Sequence, residues 1–385
     1  MVIKDFLDLN QEGFYKWEVI EKTPEFERMK GCEQNPYWHA EGDVWEHTKK
    51  VCEEAIMVIK ELPKSEINPV YFNDDEKEIF LTAALFHDIG KPITSSVGKD
   101  GKIHSYGHEI EGEKIARMIL WDEDIKKREK ICALIKWHMD ILDVFNHKNY
   151  LERIVEIARE VGIFEILLVL KVCDLKGSIA KNPGRTKDYL ILSALQRTYG
   201  VLGGYSSELY IPLYSHLDCY IDRFLPNIYV MIGLPGAGKT TYIKEIIEKK
   251  GITDYSIISR DLIRVKLGQC KEGEKYLGTS EEEEAVTEEF NRELMAAVKK
   301  GSTIFLDNMN TRRKYRDTYK NLLKGHKFRW VYVYVQAPNI DDNIERRKGQ
   351  IPEESFKPMI SRLEWPSASE YNELIIKITN DNGKV

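Results

Sequence analysis

Residues 233–240 read Gly-Leu-Pro-Gly-Ala-Gly-Lys-Thr and fill the phosphate-binding pattern G-x-x-x-x-G-K-[ST]. Such a loop works only between a buried strand and a helix N-terminus, where successive backbone N–H groups cradle a polyphosphate. The flanks meet that demand. Ile228–Ile232 is an apolar run suited to a buried strand, and Thr240-Thr-Tyr-Ile-Lys-Glu-Ile-Ile opens a helix. Lys239 is placed to reach the β/γ-phosphates of ATP or another NTP, and Thr240 to hold its Mg²⁺. Gly233, Gly236, Gly238, Lys239, Thr240 and Thr241 are the candidate nucleotide-binding residues.

Downstream, β-rich runs alternate with helical ones at Tyr229–Ile232, Ser256–Ile258, Thr303–Leu306 and Trp330–Val335. This alternation predicts a parallel sheet with helices on both faces. Acids end two of the runs. Asp261 follows Tyr255–Ser259, and ligands bind at the C-terminal ends of strands in such sheets. There it would accept the proton of an acceptor hydroxyl; the plainer alternative is an N-cap of the next helix. Arg264, one turn on, shares its helix face and could bind an acceptor phosphate. Asp307 ends Ser302–Leu306 and is placed to hold Mg²⁺ through water. Arg312, Arg313, Lys314 and Arg316 form a basic cluster, either a solvated helix face or a nucleic-acid backbone contact. Arg346 and Arg347 follow the strand Trp330–Val335, where an arginine-bearing lid can close on the transferring phosphoryl group.

The first half reads differently. Helical periodicity covers Val44–Leu62, Glu76–His87, Gly112–Trp121, Ile125–His138 and Phe164–Ala180. Seven of nine histidines lie between 39 and 147, far from the phosphate loop. The apolar helix from Phe80 ends in His87-Asp88 and is stopped by Gly90 and Pro92. A carboxylate at the end of a buried helix needs a partner, and a metal supplies one. Asp174 follows a second strongly apolar stretch and needs one too. His47 lies near the core face of its helix. His47, His87, Asp88 and Asp174 form a mixed N/O set suited to Mn, Fe, Co, Ni or Zn. His108 and His138 are candidates for a second metal or for substrate phosphate. Lys91 either neutralises substrate phosphate or is an exposed loop lysine. His39, His104 and His147 are expected at the surface.

At 385 residues the chain is long for one core. We divide it into 1–200, a junction at 201–226 marked by Gly-Gly-Tyr-Ser-Ser and two prolines, and 227–385. The fold expected is multidomain: an all-α domain, then an α/β P-loop domain with a parallel sheet. No stretch approaches the ~20 apolar residues of a membrane span. The N-terminus lacks a signal-peptide pattern, and six cysteines occur without a C-x-x-C pair. A cytoplasmic location without membrane partners is expected. A net charge of −6 leaves no global basic field, so any nucleic-acid site must be a local patch.

The order His47, His87-Asp88, His108, His138, Asp174 resembles the HD phosphohydrolase superfamily over roughly residues 30–200. The stretch His-Asp-Ile-Gly-Lys-Pro and the later Gly-His-Glu look most like the HD modules attached to tRNA nucleotidyltransferases. That resemblance implies phosphoester hydrolysis with one or two metals. Gly233–Thr240, Arg260-Asp261-x-x-Arg264, Asp307-x-x-Asn310 and Arg346-Arg347 together resemble the 5′-hydroxyl polynucleotide kinase family over about 227–365. The lid departs from that family, which spaces its arginines more widely, so Arg346 and Arg347 both remain candidates. In this order the two halves are similar to the bifunctional HD-Pnk end-healing enzymes. The resemblance implies an HD half that removes 2′,3′-cyclic or terminal 2′/3′-phosphates from RNA or DNA ends. It also implies a kinase half that phosphorylates 5′-OH ends, with a polynucleotide ligase as functional partner. The alternative is an HD nucleotidase joined to a small-molecule kinase in nucleotide metabolism, which the acidic net charge favours.

Overall fold

The computed structural model describes residues 1–61, 72–162, 164–179, 185–201, 225–271 and 278–379. Most of the junction placed at 201–226 lies outside them, as do Leu62 and Ala180. The chain divides into two compact units, Met1–Tyr210 and Ile211–Val385.

The first unit is built of helices. Its longer ones are Val44–Glu61, Asp74–Phe86, His108–Ile119, Ile125–Trp137, Tyr150–Val161, Phe164–Gly177 and Arg185–Val201. Asp74–Phe86 and Phe164–Gly177 carry apolar side chains around most of their circumference, so both sit inside the bundle. Asn73 starts the first of these with a reciprocal cap: Glu76 N–H donates to the Asn73 side chain at 2.9 Å, and Asn73 N–H to the Glu76 side chain at 3.0 Å. A side chain at Gly90 would place its Cβ 2.1 Å from the His108 carbonyl oxygen. Only glycine lets the turn after His87-Asp88 lie against the backbone that carries His108. Helix His108–Ile119 begins a turn earlier than the periodicity implied. Gly112 lies inside it, packed against the Gly90 backbone. A short hairpin, β1 (Ser96–Val97) with β2 (Ile103–His104), adds the antiparallel pair that the helical pattern gave no sign of.

The second unit is a five-stranded sheet of β3 (Asn227–Ile232), β4 (Tyr255–Ile258), β5 (Thr303–Leu306), β6 (Arg329–Gln336) and β7 (Glu373–Ile378). The order is β4-β5-β3-β6-β7, and every pairing is parallel. β3 lies between β5 and β6, so crossovers leave it toward both edges. The crevice at its C-terminal end is therefore the ligand position that this topology creates. The central strands are buried on both faces, hence the unbroken Tyr229–Ile232 and Val331–Val335 runs. Thr279 caps helix Ser280–Lys300, with Glu282 returning the bond. The acidic run Glu281–Glu284 is this helix start, where acids meet the favourable end of the dipole. Among the described residues, no helix is long and apolar enough to cross a membrane.

Candidate functional site

In the first unit His47, His87, Asp88, His108, His138 and Asp174 converge, all of them buried. Asp88 stands at the centre. Its Oδ2 is 3.2 Å from His87 Nε2 and 3.5 Å from His47 Nε2; its Oδ1 is 3.3 Å from His108 Nε2 and 3.9 Å from His138 Nε2. Asp174 Oδ1 lies 3.1 Å from His47 Nε2. Two donor groups share Asp88, His47–His87–Asp88 and Asp88–His108–His138, and a third, His39–Glu41–His47, joins them at His47.

The outward nitrogens decide what the inward ones can do. His87 Nδ1 donates to Ala84 O at 2.9 Å, His108 Nδ1 to Ser105 O at 2.7 Å, and His138 Nδ1 to Ile135 O at 2.6 Å. A carbonyl can only accept, so each of these Nδ1 atoms carries a proton, and the neutral ring then offers its Nε2 as a lone pair. His47 is the exception: its Nδ1 lies 2.9 Å from the Glu41 carboxylate outside hydrogen-bond geometry, its Nε2 bonds Asp174 Oδ1 at 3.1 Å, and Asp174 and Glu41 raise its pKa against the effect of burial. Yet His108 and His138 bring their Nε2 atoms within 3.3 Å, as do His47 and His87. Two buried lone pairs at that distance, as at His108 and His138, call for a cation between them. Burial, with the nearby Lys171 ammonium, pushes the His138 imidazole well below its ordinary range, so a proton does not serve there. The donor set fits one or two divalent transition metals with Asp88 shared.

Lys171, Lys91, His39 and Glu41 complete this environment. Burial works to raise the Asp174 carboxyl, but the Lys171 ammonium, 2.6 Å away, and His47 hold it well below the carboxylate range. Lys171 sits one helical turn before Asp174, a spacing that was readable in the sequence. Lys91 is buried, 2.6 Å from Asp88 and 2.7 Å from Gln34, so it is not an exposed loop lysine. His39 is no simple surface residue either. Its ring centroid is 4.6 Å from that of His47, and its Nδ1 lies 2.8 Å from Glu41. Burial works to raise Glu41, but His39 and His47 hold it far below the carboxylate range. His104 pairs with Asp100, and His147 is exposed.

In the second unit β3 runs directly into the glycine-rich loop. Gly233 has φ 153°, and a Cβ there would fall 2.2 Å from Val335 O. Lys239 folds its ammonium over the loop, onto Gly233 O at 3.0 Å and Leu234 O at 2.9 Å. Burial, with Arg347 adding like charge, lowers its pKa to about 8. Thr240 Oγ1 donates to Asp307 Oδ2 at 2.7 Å, so two hard oxygen ligands meet where Mg²⁺ would sit. Thr241 is exposed on the first helical turn. Asn310 sits in the left-handed region at φ 47°, where its side chain donates to Met231 O and Leu306 O and accepts from Tyr319. It ties the ends of β3 and β5 together beside Asp307.

Asp261 lies just past β4, in the first turn of helix Arg260–Lys266, whose N-cap position is Ser259. It is thus not the N-cap. Its side chain is 86% exposed, and its charge is felt at Lys239. Arg264 is already engaged. It pairs with Asp261 at 2.6 Å and turns its guanidinium onto Glu283 at 2.8 Å. Arg346 donates to Gly236 O at 3.0 Å and to Thr379 at 3.1 Å, bracing the loop, whereas Arg347 donates to Gln350. The basic cluster needs correction at one position. Arg316 is fully buried and grips Glu370 through two bonds of 2.7 and 3.0 Å, so it faces no nucleic acid.

Comparison with known proteins agrees with this division. Residues 44–172 match the HD domain model and residues 228–366 the AAA domain model. No curated protein matches the sequence. Among solved structures, the chain is similar to one in the Pnkp1/Rnl/Hen1 RNA repair complex, at 17% identity over 36% of this chain and 44% of that one, with TM-score 0.31. It is also similar to a provisionally assigned kinase from Chloroflexus aurantiacus, at 13% identity over 42% of this chain and 92% of that one, with TM-score 0.34. The chain thus spans less than half the length of the first of these. It carries an HD domain followed by a kinase-like P-loop domain of the AAA group.

Proposed function

We propose that the chain heals broken polynucleotide ends. In this reading 227–385 transfers the γ-phosphoryl group of an NTP to a 5′-OH end. Residues 1–200 remove 2′,3′-cyclic or terminal 2′/3′-phosphates. The products, a 5′-phosphate and a 3′-OH, are what a polynucleotide ligase consumes, which makes such a ligase the functional partner.

The observation that carries the kinase reading is the exposed Asp261 carboxylate at the C-terminal edge of the sheet, close enough to act on Lys239. A hydroxyl on a bulky chain can reach it from solvent. Asp261 takes the proton of the attacking 5′-OH as the new P–O bond forms, and the NDP leaves with the bond electrons. Lys239 moves off the loop carbonyls onto the β/γ-phosphates. Thr240 and Asp307 would hold Mg²⁺. Arg347 is the lid candidate, because Arg346 is spent on bracing the loop. In the HD half, His47, His87, Asp88 and Asp174, with His108 and His138, would hold the metals. A metal held there would supply Lewis acidity toward a phosphoryl oxygen and a water. Lys91 keeps Asp88 ionised and oriented.

The engaged Arg264 and buried Arg316 favour a second reading, in which the acceptor is a small molecule. Glu283 already neutralises the cation that would meet an acceptor phosphate. One experiment separates the two. An oligonucleotide with a 5′-OH and a 2′,3′-cyclic phosphate is incubated with Mg²⁺ and NTP, and separately with Mn²⁺, Co²⁺ or Ni²⁺. End healing requires a 5′-phosphate only with NTP and loss of the 3′-end phosphate with the transition metal. If the oligonucleotide stays unchanged while free nucleosides or nucleotides react, the small-molecule reading replaces it.

A further inference from the structure

The exposed aromatic side chains of the first unit are not scattered. Among the described residues they are Tyr37, Trp38 and Tyr106. Tyr37 and Trp38 directly precede His39, whose ring lies 4.6 Å from that of His47. Tyr106 stands two residues before His108. The segments that carry them are joined: Lys91 donates to Gln34 at 2.7 Å, and Cys32 Sγ lies 3.9 Å from Ser95 Oγ, which is 2.7 Å from Ser105 Oγ. The first pair therefore adjoins the His47–His87–Asp88 group, and Tyr106 the Asp88–His108–His138 group.

Tyr106 is 80% exposed, yet its ring is held. It lies parallel to His104, with 8° between the planes and 5.0 Å between centroids. Asp100 fixes His104 at 3.0 Å, and a Cβ on Gly98 would fall 2.7 Å from His104 Cδ2. One face of the tyrosine is backed and the other is bare. Trp38, 45% exposed, meets Tyr37 edge-on at 4.9 Å. Flat, bare aromatic faces along one rim suit unpaired bases, each of which has a π-face to stack. Lys99 and Lys102, exposed in the turn of the β1–β2 hairpin, offer cations to phosphodiesters, while the intervening Asp100 is turned to His104.

We propose that Tyr106 and the Tyr37–Trp38 pair form a base-stacking rim for the last nucleotides of a single-stranded polynucleotide whose 3′-end phosphate enters the HD centre. The proposal rests on the polynucleotide reading of that centre and adds its subsite. Stacking tolerates any base, so the rim selects an unpaired end and not a sequence.

The test is fluorescence titration of the full-length protein with an oligonucleotide carrying 2-aminopurine at its last two positions. A 3′-OH leaves nothing to hydrolyse, and a 5′-phosphate removes the kinase acceptor. Wild type is expected to quench the probe. Y106A and W38A are each expected to bind it about 5–150-fold more weakly, the range for a lost stacked base, and Y106F and W38F to recover the affinity. An oligonucleotide abasic at both positions should bind weakly to wild type and to the alanine variants alike. Wild-type affinity in Y106A and W38A overturns the proposal. So does Y106L binding as tightly as Y106F, since apolar surface alone would then suffice. Self-association that W38A or Y106A abolishes while probe binding stays unchanged would give the rim to a second copy of the chain and overturn it too. Phosphate release from a 3′-phosphorylated end with Co²⁺ is followed separately. Wild type that releases phosphate without quenching the probe loses the rim alone. Wild type that quenches the probe but releases phosphate from no end loses the hydrolase reading and keeps the rim as a binding site.

Discussion

Lys239 shows how one residue's environment sets a measurable proton balance. The loop buries its ammonium against two carbonyls and lowers its pKa to about 8, whereas an unfolded lysine titrates near ~10.4. Between those values the unfolded chain binds more protons, so this residue makes stability rise with pH across the window and costs most below it. Phosphate oxygens replacing the carbonyls restore the charge. Nucleotide binding is therefore expected to take up a proton at about pH 8.5–9 and almost none at about pH 6.5. Calorimetry in buffers of different ionisation heat measures this directly, and equal uptake at both pH values would contradict it. Asp261 makes a separate expectation at the same scale. If it accepts the hydroxyl proton, Asp261→Asn lowers kcat for 5′-phosphorylation by about 10²–10⁴-fold with little change in KM for NTP, while phosphate release continues at the wild-type rate. A kcat within a few-fold of wild type would assign the base elsewhere.

Among the elements, helix Arg313–Leu322 is fastened to the segment before β7 by the buried Arg316–Glu370 pair. Removing one partner leaves the other charge buried and alone. Arg316→Ala is accordingly expected to destabilise the second unit by about 3–5 kcal/mol, read as a lower urea midpoint for the transition that nucleotide shifts upward. If the variant kept its stability and lost only oligonucleotide affinity, Arg316 would belong to a surface after all. The cluster 312–316 shows why the sequence was ambiguous here. Four basic residues in five look like one patch, and only the distant Glu370 reveals that one of them points inward. The helices Asp74–Phe86 and Phe164–Gly177 were legible because an apolar surface on most sides forces burial wherever the chain goes. The phosphate loop was legible because its chemistry is local. Glu41, Gln34 and His39 were not, since a loop has no period, and Lys91 and Ile179, which Gln34 and Glu41 meet, are distant in the sequence. The β1–β2 hairpin escaped for a related reason: two residues per strand are too few to show alternation.

Across the whole molecule, the two candidate centres differ in ligand hardness, and this predicts how each responds to metal removal. The loop site presents Thr240 Oγ1 and Asp307 Oδ2, together with the phosphates a nucleotide brings; all are oxygens, and Mg²⁺ prefers such ligands. The HD cluster presents four imidazole nitrogens around Asp88 and Asp174, a set that favours transition metals over Mg²⁺. Full-length protein stripped with a chelator and dialysed should thus recover phosphorylation of a 5′-OH end with Mg²⁺ and NTP alone. Removal of the 3′-end phosphate should stay absent under those conditions and return only with Mn²⁺, Co²⁺ or Ni²⁺. Asp88→Ala deletes the carboxylate that both donor groups share, so it should lose the second activity whichever metal is added and leave the first intact. Asp307→Ala should do the reverse. If Mg²⁺ alone restored both activities to the stripped wild type, hardness would not distinguish the centres, and the imidazole cluster would have to act without a bound transition metal.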